Sequence, residues 1–233
     1  MDKSKEEEHI REIHQDLLDV YGEAPEPSNQ SGVDYLVETI LSQNTNDINR
    51  DKAFKQMKED FEDYEEIMNA DPERLEDSIR VAGLGATKAE RIQGALKILM
   101  EERGEFELEF INDMSIDEGK KWLTDIPGIG PKTAAIILCF HFGKPVIPVD
   151  THVHRVSKRF GLIPENASRS KAHDILEEKI PDDIKYSFHR LLITHGRENC
   201  KARNPTCGET KLKKYCKHYE KVIIGDKDPE EVV

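Results

Sequence analysis

The chain lacks any apolar run long enough to cross a membrane, and aromatic residues make up only 6% of its 233 residues. A helix that spans a bilayer needs about 20 consecutive apolar residues, so the composition argues against a membrane protein. The N-terminal stretch 1–19 is acidic and amphipathic, and it does not have the pattern of a signal peptide. We therefore expect a cytoplasmic protein.

Cysteine is also scarce, with four residues in the whole chain. So few cysteines in a chain of this length do not make a disulfide framework, and disulfides are not expected. Cys139 lies in an apolar stretch and is predicted to be a small buried hydrophobe. The other three cysteines, at positions 200, 207 and 216, lie near the C-terminus.

Positive charge is in deficit, because the formal net charge is −13. This balance argues against non-specific nucleic-acid binding by the whole surface, although it leaves room for a local basic face. Acidic residues dominate 58–77, which we interpret as a solvated surface. Lysine and arginine outnumber glutamate in 200–221, which predicts a phosphate-facing surface there; an ordinary basic helix is the alternative.

Strand-like alternation is nearly missing, apart from a few residues at 145–149. Helical spacing of apolar residues recurs instead at 33–41, 92–99 and 184–192. The stretch 134–140 is apolar on all sides, so its helix should be central and buried. With no low-complexity linker in the chain, the pattern predicts an all-α fold.

The most informative motif is Ile-Pro-Gly-Ile-Gly-Pro-Lys-Thr at 126–133. Its glycines permit a tight turn, and Pro131 suits the first position of a following helix. Free backbone N–H groups at such a helix start bind phosphate without reading base sequence. Lys132 would be the second helical residue, where the positive helix end disfavours the ammonium form. An amine that loses its proton more readily can act as a nucleophile.

Together with Pro-Val-Asp-Thr-His-Val at 148–153, this motif resembles the helix-hairpin-helix DNA glycosylases, specifically the endonuclease III group. The resemblance extends from about Val33 to Tyr219. It implies that Lys132 is a Schiff-base nucleophile and that Asp150 is its acidic partner. Since Asp150 precedes an apparent helix, an N-cap role is the alternative, and one carboxylate can serve both purposes.

The resemblance also implies an architecture, namely two helical domains flanking a DNA-binding cleft. A six-helix domain with the helix-hairpin-helix motif would span 32–143. A discontinuous domain would combine 1–31 with 144–233 and carry the C-terminal cysteine loop. We expect a monomer, associated with the nucleoid in a cell without a nucleus, whose partner is duplex DNA containing damaged bases or abasic sites.

Several further residues are expected to contact that DNA. Ala-Gly-Leu-Gly-Ala-Thr-Lys-Ala at 82–89 echoes the first motif, and the family places a duplex-wedging leucine here, at Leu84. Asn44 matches the position of an amide that fills the gap left by a flipped nucleotide; the family often has glutamine there, so Gln43 is an alternative. The remaining predicted DNA contacts are Lys88, Gly128, Gly130, Lys201 and Arg203.

The family's cysteine loop holds a 4Fe-4S cluster with four cysteines. Cys200, Cys207 and Cys216 match three of those positions, and Thr210 stands at the third position of the four. Three interpretations stay open: a cluster completed by Glu209 or water, a zinc site that adds His218, or a loop without metal.

The resulting hypothesis is a bifunctional DNA glycosylase and abasic-site lyase that excises oxidised pyrimidines. An 8-oxoguanine glycosylase/lyase would share the lysine. A non-catalytic helix-hairpin-helix DNA-binding protein is the alternative from another class, and Thr210 is the residue that favours it. Binding alone would not require both Lys132 and Asp150, which favours the enzyme.

Overall fold

In a computed structural model, residues 3–27 and 29–220 are described, and they contain α-helices and 3₁₀ helices but no strand. The all-α prediction is thereby confirmed. The α-helices are α1 (Lys3–Tyr21), α2 (Gly32–Leu41), α3 (Asp47–Asp60), α4 (Tyr64–Asn69), α5 (Pro72–Ile79), α6 (Gly85–Arg103), α7 (Ile116–Asp125), α8 (Pro131–Phe140), α9 (Thr151–Arg159), α10 (Arg169–Lys179) and α11 (Lys185–Glu198). No helix in this part of the chain has both the length and the apolar character that crossing a bilayer requires.

The chain divides into two compact units. The central unit comprises Pro27–Lys144. The terminal unit combines the residues up to Glu26 with those from Pro145 onward.

The central unit contains α2 to α8, which is seven α-helices among its described residues, one more than the six expected. The acidic stretch at 58–77 accounts for the difference. Asp71 caps a new helix and Pro72 occupies its first position, so α5 starts separately from the short α4. The periodic stretches 33–41 and 92–99 correspond to α2 and α6 as predicted.

Helix α8 is buried in the central core. Its buried residues are Ala134, Ala135, Ile137, Leu138 and Cys139. Helix α7 packs against it, and a side chain at Gly119 of α7 would lie 3.0 Å from a methyl group of Leu138. Helix α8 is therefore held against α7 by close packing.

The terminal unit is built around α11, which packs against both α1 and α9. Its core draws apolar residues from every helix of the unit, including Ile13, Leu17, Val153, Leu176 and Phe188. The late helix expected to end near Gly196 continues to Glu198. After it, the chain forms 3₁₀ helices at Cys207–Glu209 and Lys211–Tyr215, and the second of these packs on α1.

Candidate active site

The hairpin, residues 126–131, joins α7 to α8 in the central unit. Its turn is closed by the Ile129 N–H group, which donates to the Ile126 carbonyl over 3.0 Å. Ile129 is only 4% exposed, so its side chain anchors the turn in the core. Gly128 has a φ of +85°, a conformation that L side chains rarely adopt. The hairpin and the following helix are therefore present as the motif predicted.

Gly128 is also required because Arg91 of α6 packs directly on its backbone. A Cβ atom at position 128 would lie 2.4 Å from Arg91 Cδ. Arg91 donates a hydrogen bond to Gln43 Oε1, and Gln43 Nε2 donates to the Gly128 carbonyl over 3.0 Å. These bonds join three segments of the central unit at the hairpin.

This network distinguishes the two candidate gap-filling amides. The Gln43 amide is engaged with Arg91 and Gly128, whereas Asn44 is exposed and adopts a φ of +54°. Asparagine tolerates that left-handed conformation better than most residues. Of the two predicted amides, only Gln43 is thus engaged in the hairpin network, and Asn44 is exposed.

Gly130 differs from Gly128 both in its backbone conformation and in the space around it. Its φ is −90°, and a Cβ atom built there would have no heavy atom within 4 Å. The fold itself therefore does not require glycine at this position. Gly130 has no side chain to cap α8, so the first amides of the helix are open to an outside acceptor.

Lys132 is the second residue of α8, directly after Pro131, and its side chain is exposed. Helix geometry fixes where its stem leaves the backbone. The side chain therefore leaves the backbone in the first turn of α8, at an uncapped helix start of the kind that binds anions.

Asp150 belongs to the terminal unit and is the N-cap of α9. Its Oδ1 atom accepts a hydrogen bond from the Val153 N–H group over 2.7 Å. The capping geometry considered for this residue is therefore present. This bond fixes the orientation of the half-buried carboxyl group.

The Leu84 turn, residues 83–85, leads into α6. Leu84 has a φ of +54° and its side chain is 57% exposed. A large apolar residue in left-handed conformation is uncommon, and residues held this way cost about 1–3 kcal/mol and cluster at functional sites. Because the side chain is exposed, burial does not offset this cost. The contact between Leu84 and DNA stays a prediction.

The structure does not support the predicted direct contact between Lys88 and DNA. Lys88 is 1% exposed, and its ammonium donates to the carbonyl groups of Leu41 and Ala82 over 2.7 and 2.8 Å. Its position four residues into α6 turns the side chain toward the core. In this conformation the Lys88 ammonium binds backbone carbonyl groups inside the protein and does not reach the surface.

Comparison with known proteins identifies the fold. The profile of the HhH-GPD superfamily of base excision DNA repair proteins matches residues 37–182. The chain belongs to this superfamily. An endonuclease III of Thermotoga maritima is 35% identical over 82% of this chain and 85% of its own length, which places the chain in the endonuclease III family.

Two further relatives extend the comparison. A candidate DNA glycosylase of Arabidopsis thaliana is 39% identical over 76% of this chain, which spans 61% of that relative's length. The solved structure of a trapped endonuclease III–DNA covalent intermediate has a TM-score of 0.77 and 28% identity, covering 93% of this chain and 98% of the other. This HhH-GPD protein is therefore a DNA glycosylase of base excision repair.

The cysteine loop of this endonuclease III family member departs from a four-cysteine cluster. Cys200 and Cys216 are buried; Arg159 donates to Cys200 Sγ over 3.2 Å, and the Tyr219 N–H group donates to Cys216 Sγ over 3.4 Å. Burial raises the pKa of the Cys200 thiol, and the Arg159 guanidinium partly offsets this effect. The side chain of Cys207, which is the remaining predicted cysteine ligand, is not among those that the structure describes.

The described donors therefore do not fit such a cluster. Thr210 occupies the third of its four positions, and threonine is a poor iron ligand. Among the side chains that the structure describes, no group of three His, Cys, Asp or Glu residues is close enough to hold a metal ion.

The cluster of polar side chains around Asp16, which holds this loop on α1, was not predicted from the sequence. Asp16 accepts hydrogen bonds or ion pairs from Lys211, Lys214 and the Tyr215 hydroxyl, at 2.6 to 2.7 Å. Burial alone would raise the Asp16 pKa, but these partners outweigh it and hold the pKa well below its usual range. Two lysines of the predicted basic face are thus engaged internally, whereas Lys201 and Arg203 are exposed.

Proposed function

We propose that this DNA glycosylase is bifunctional, with Lys132 as the nucleophile of a base-excision and strand-cleavage reaction. The observation that carries the proposal is an exposed lysine at the second position of the helix that follows the hairpin. A covalent intermediate has been trapped in the related endonuclease III–DNA structure. The position of Lys132 in the first turn of α8 suits the same chemistry.

In the proposed reaction, the Lys132 amine attacks C1′ of the damaged nucleotide. A bond forms between Nζ and C1′, the glycosidic bond breaks, and the base leaves with the bonding electron pair and gains a proton. Opening of the sugar ring gives an imine. Loss of a C2′ proton then expels the 3′ phosphate by β-elimination, and water releases the enzyme from the product.

Asp150 is proposed as the acidic partner of this reaction. One of its oxygen atoms is committed to the Val153 N–H group, which leaves the second oxygen for proton transfer. A carboxylate can also stabilise the positive charge that develops on the sugar as the base departs. The N-cap bond would then serve catalysis by orienting the group.

The DNA contacts follow from the same geometry. We assign Leu84 to the duplex stack, Asn44 to the gap left by the flipped nucleotide, and the open backbone at Gly130 to a phosphate. Lys201 and Arg203 are proposed as further phosphate contacts. The substrate class proposed is oxidised pyrimidines, in keeping with the endonuclease III relatives, and no step is assigned to a metal cluster.

The test is incubation with duplex DNA containing one thymine glycol, with and without borohydride. The variant Lys132→Ala is compared with Lys121→Ala, which removes another exposed lysine of the central unit, from α7. We expect strand cleavage and a trapped adduct with the parent protein and the Lys121 variant. Loss of the lysine nucleophile should reduce cleavage by at least about 10³-fold and abolish trapping.

An adduct that survives Lys132→Ala would overturn the proposed nucleophile. Cleavage of 8-oxoguanine duplex but not of thymine glycol duplex would keep the mechanism and replace the substrate class. Equal affinity for damaged and undamaged DNA, with no cleavage even of a plain abasic site, would overturn the proposed lyase activity and favour a role in DNA binding. An absorbance near about 400 nm in the purified protein would show that the three cysteines do hold an iron–sulfur group.

A further inference from the structure

Among the lysines and arginines that the structure describes, Lys88 is the most deeply buried, and the proposed reaction does not use it. Its ammonium lies between two backbone segments that are distant in sequence. Leu41 is the last residue of α2, and Ala82 is the last residue of the 3₁₀ helix Arg80–Ala82. Each carbonyl thus belongs to the final turn of a helix, where carbonyl groups lack helical partners and the helix end is negative.

This placement explains how a lysine is tolerated in the core. Burial lowers the pKa of Lys88, and the neighbouring Arg91 lowers it further. Two carbonyl groups at negative helix ends compensate the lost hydration, because each accepts a charge-assisted hydrogen bond. An uncharged side chain of similar size would fill the space but leave both carbonyls without this donor.

Both segments lead directly into the residues assigned to DNA. Asn44 follows Leu41 by three residues, and Leu84 follows Ala82 by two. Each of them adopts a positive φ of 54°, so each projecting side chain depends on a strained turn. The Lys88 backbone N–H group also donates to the Leu84 carbonyl over 3.0 Å.

We propose that Lys88 is a positioning residue that ties the Asn44 segment to the Leu84 turn, so that the wedge and the gap-filling amide enter the duplex together. The inference rests on the proposed function of those two side chains. It assigns the buried ammonium a role in extruding a paired nucleotide. A nucleotide without a base needs less of this help, because unstacking is easiest where pairing is already lost.

The experiment compares Lys88→Met with Lys97→Met, which changes an exposed lysine on the same helix. Single-turnover cleavage is measured at saturating protein on thymine glycol duplex and on plain abasic duplex. We expect Lys88→Met to slow the paired lesion by at least about tenfold and the abasic site by less than about threefold. Lys97→Met should change neither rate.

A double variant tests whether Lys88 acts through the wedge. If it does, Lys88→Met should cost little in a Leu84→Ala background, because the side chain that it positions is already missing. Equal losses on both substrates, or full additivity with Leu84→Ala, would overturn the proposal. If Lys88→Met folds poorly, Lys88→Arg keeps the charge but changes its reach; it should show the same preference for the abasic substrate, and an equal loss on both would overturn the proposal.

A readout without turnover separates this inference from the proposed chemistry. A 2-aminopurine placed opposite a tetrahydrofuran abasic analogue brightens when the wedge unstacks it. We expect saturating Lys88→Met to produce a smaller rise than the parent protein, even if neither cleaves DNA. An unchanged rise would contradict the positioning role, whereas missing cleavage by the parent protein would count only against the proposed function.

Discussion

The Leu84 turn and the hairpin have the same sequence pattern, but the side chains that are buried in one are exposed in the other. Each consists of Gly-x-Gly with an apolar central residue, followed by a helix with a lysine in its first turns. In the Leu84 turn the apolar residue is exposed and Lys88 is buried; in the hairpin Ile129 is buried and Lys132 is exposed.

Helix geometry accounts for the exchange. Lys132 is the second residue of α8, whereas Lys88 is the fourth residue of α6. Counted from the second glycine of each pattern, Lys132 is two residues away and Lys88 is three. One residue corresponds to a rotation of about 100°, which turns the two lysines toward different faces of their helices. A one-residue offset after the turn therefore separates a lysine that is buried in the core from one that is exposed.

The largest expected difference concerns the central apolar residues. Ile129→Ala should lower the free energy of unfolding by about 2–5 kcal/mol, because it removes a buried side chain from the hairpin. Leu84→Ala should leave stability nearly unchanged, since that side chain is exposed, yet it should reduce cleavage of a paired lesion. Urea unfolding measured beside lesion cleavage checks both. A large loss of stability in Leu84→Ala would contradict this prediction, because it would show that the exposed leucine also supports the fold.

A second pair of variants concerns the hairpin glycines. Gly128→Ala should destabilise the protein by about 1–3 kcal/mol, because the positive φ and the Arg91 side chain both oppose a Cβ atom. Gly130→Ala should fall within about 0.5 kcal/mol of the parent protein in stability. Its Cβ atom would instead stand where a phosphate approaches, so affinity for abasic duplex should fall. Unchanged affinity in folded Gly130→Ala would remove the phosphate assignment.

The smallest expected effect concerns a largely buried and an exposed aspartate in the terminal unit. The Asp16 side chain is 14% exposed and that of Asp19 is 49% exposed, although both bind Lys211. Asp16→Asn should cost about 1 kcal/mol and make the segment 200–220 more sensitive to protease, whereas Asp19→Asn should change little. Equal protease sensitivity in the two variants would show that Asp16 does not hold the loop.

The pH dependence of this docking has a definite sign. Because the folded-state pKa of Asp16 lies below its usual value, its contribution is present above about pH 4 and is lost as the pH falls toward the folded pKa. Protease sensitivity of segment 200–220 should therefore rise in acid. Asp16→Asn should remove much of that rise, and a variant that retains the full dependence would assign it to other groups.

Much of the fold was predictable from local pattern. Apolar spacing predicted α2, α6, α8 and α11, and the hairpin motif placed Lys132 in the first turn of α8. These features depend on neighbours in sequence. The split of the acidic stretch into α4 and α5 was also readable, since Asp71-Pro72 is a helix start.

The features that could not be predicted depend on contacts between segments that are distant in sequence. Nothing local to Lys88 shows that carbonyls at Leu41 and Ala82 will surround its ammonium, and nothing near Arg91 shows that it will pack on Gly128. The link from Asp16 to Lys211 joins opposite ends of the chain. Short motifs predicted the residue types of the site, whereas the direction of each side chain follows from tertiary packing.

The most direct measurement locates the covalent bond itself. The borohydride-reduced complex with abasic duplex would be digested, and the peptide attached to DNA would be identified by mass spectrometry. The account predicts a single modified residue, Lys132, with Lys88 unmodified because its amine is buried. Attachment at Lys88 or any other lysine, or no attachment from protein that cleaves the strand, would contradict it.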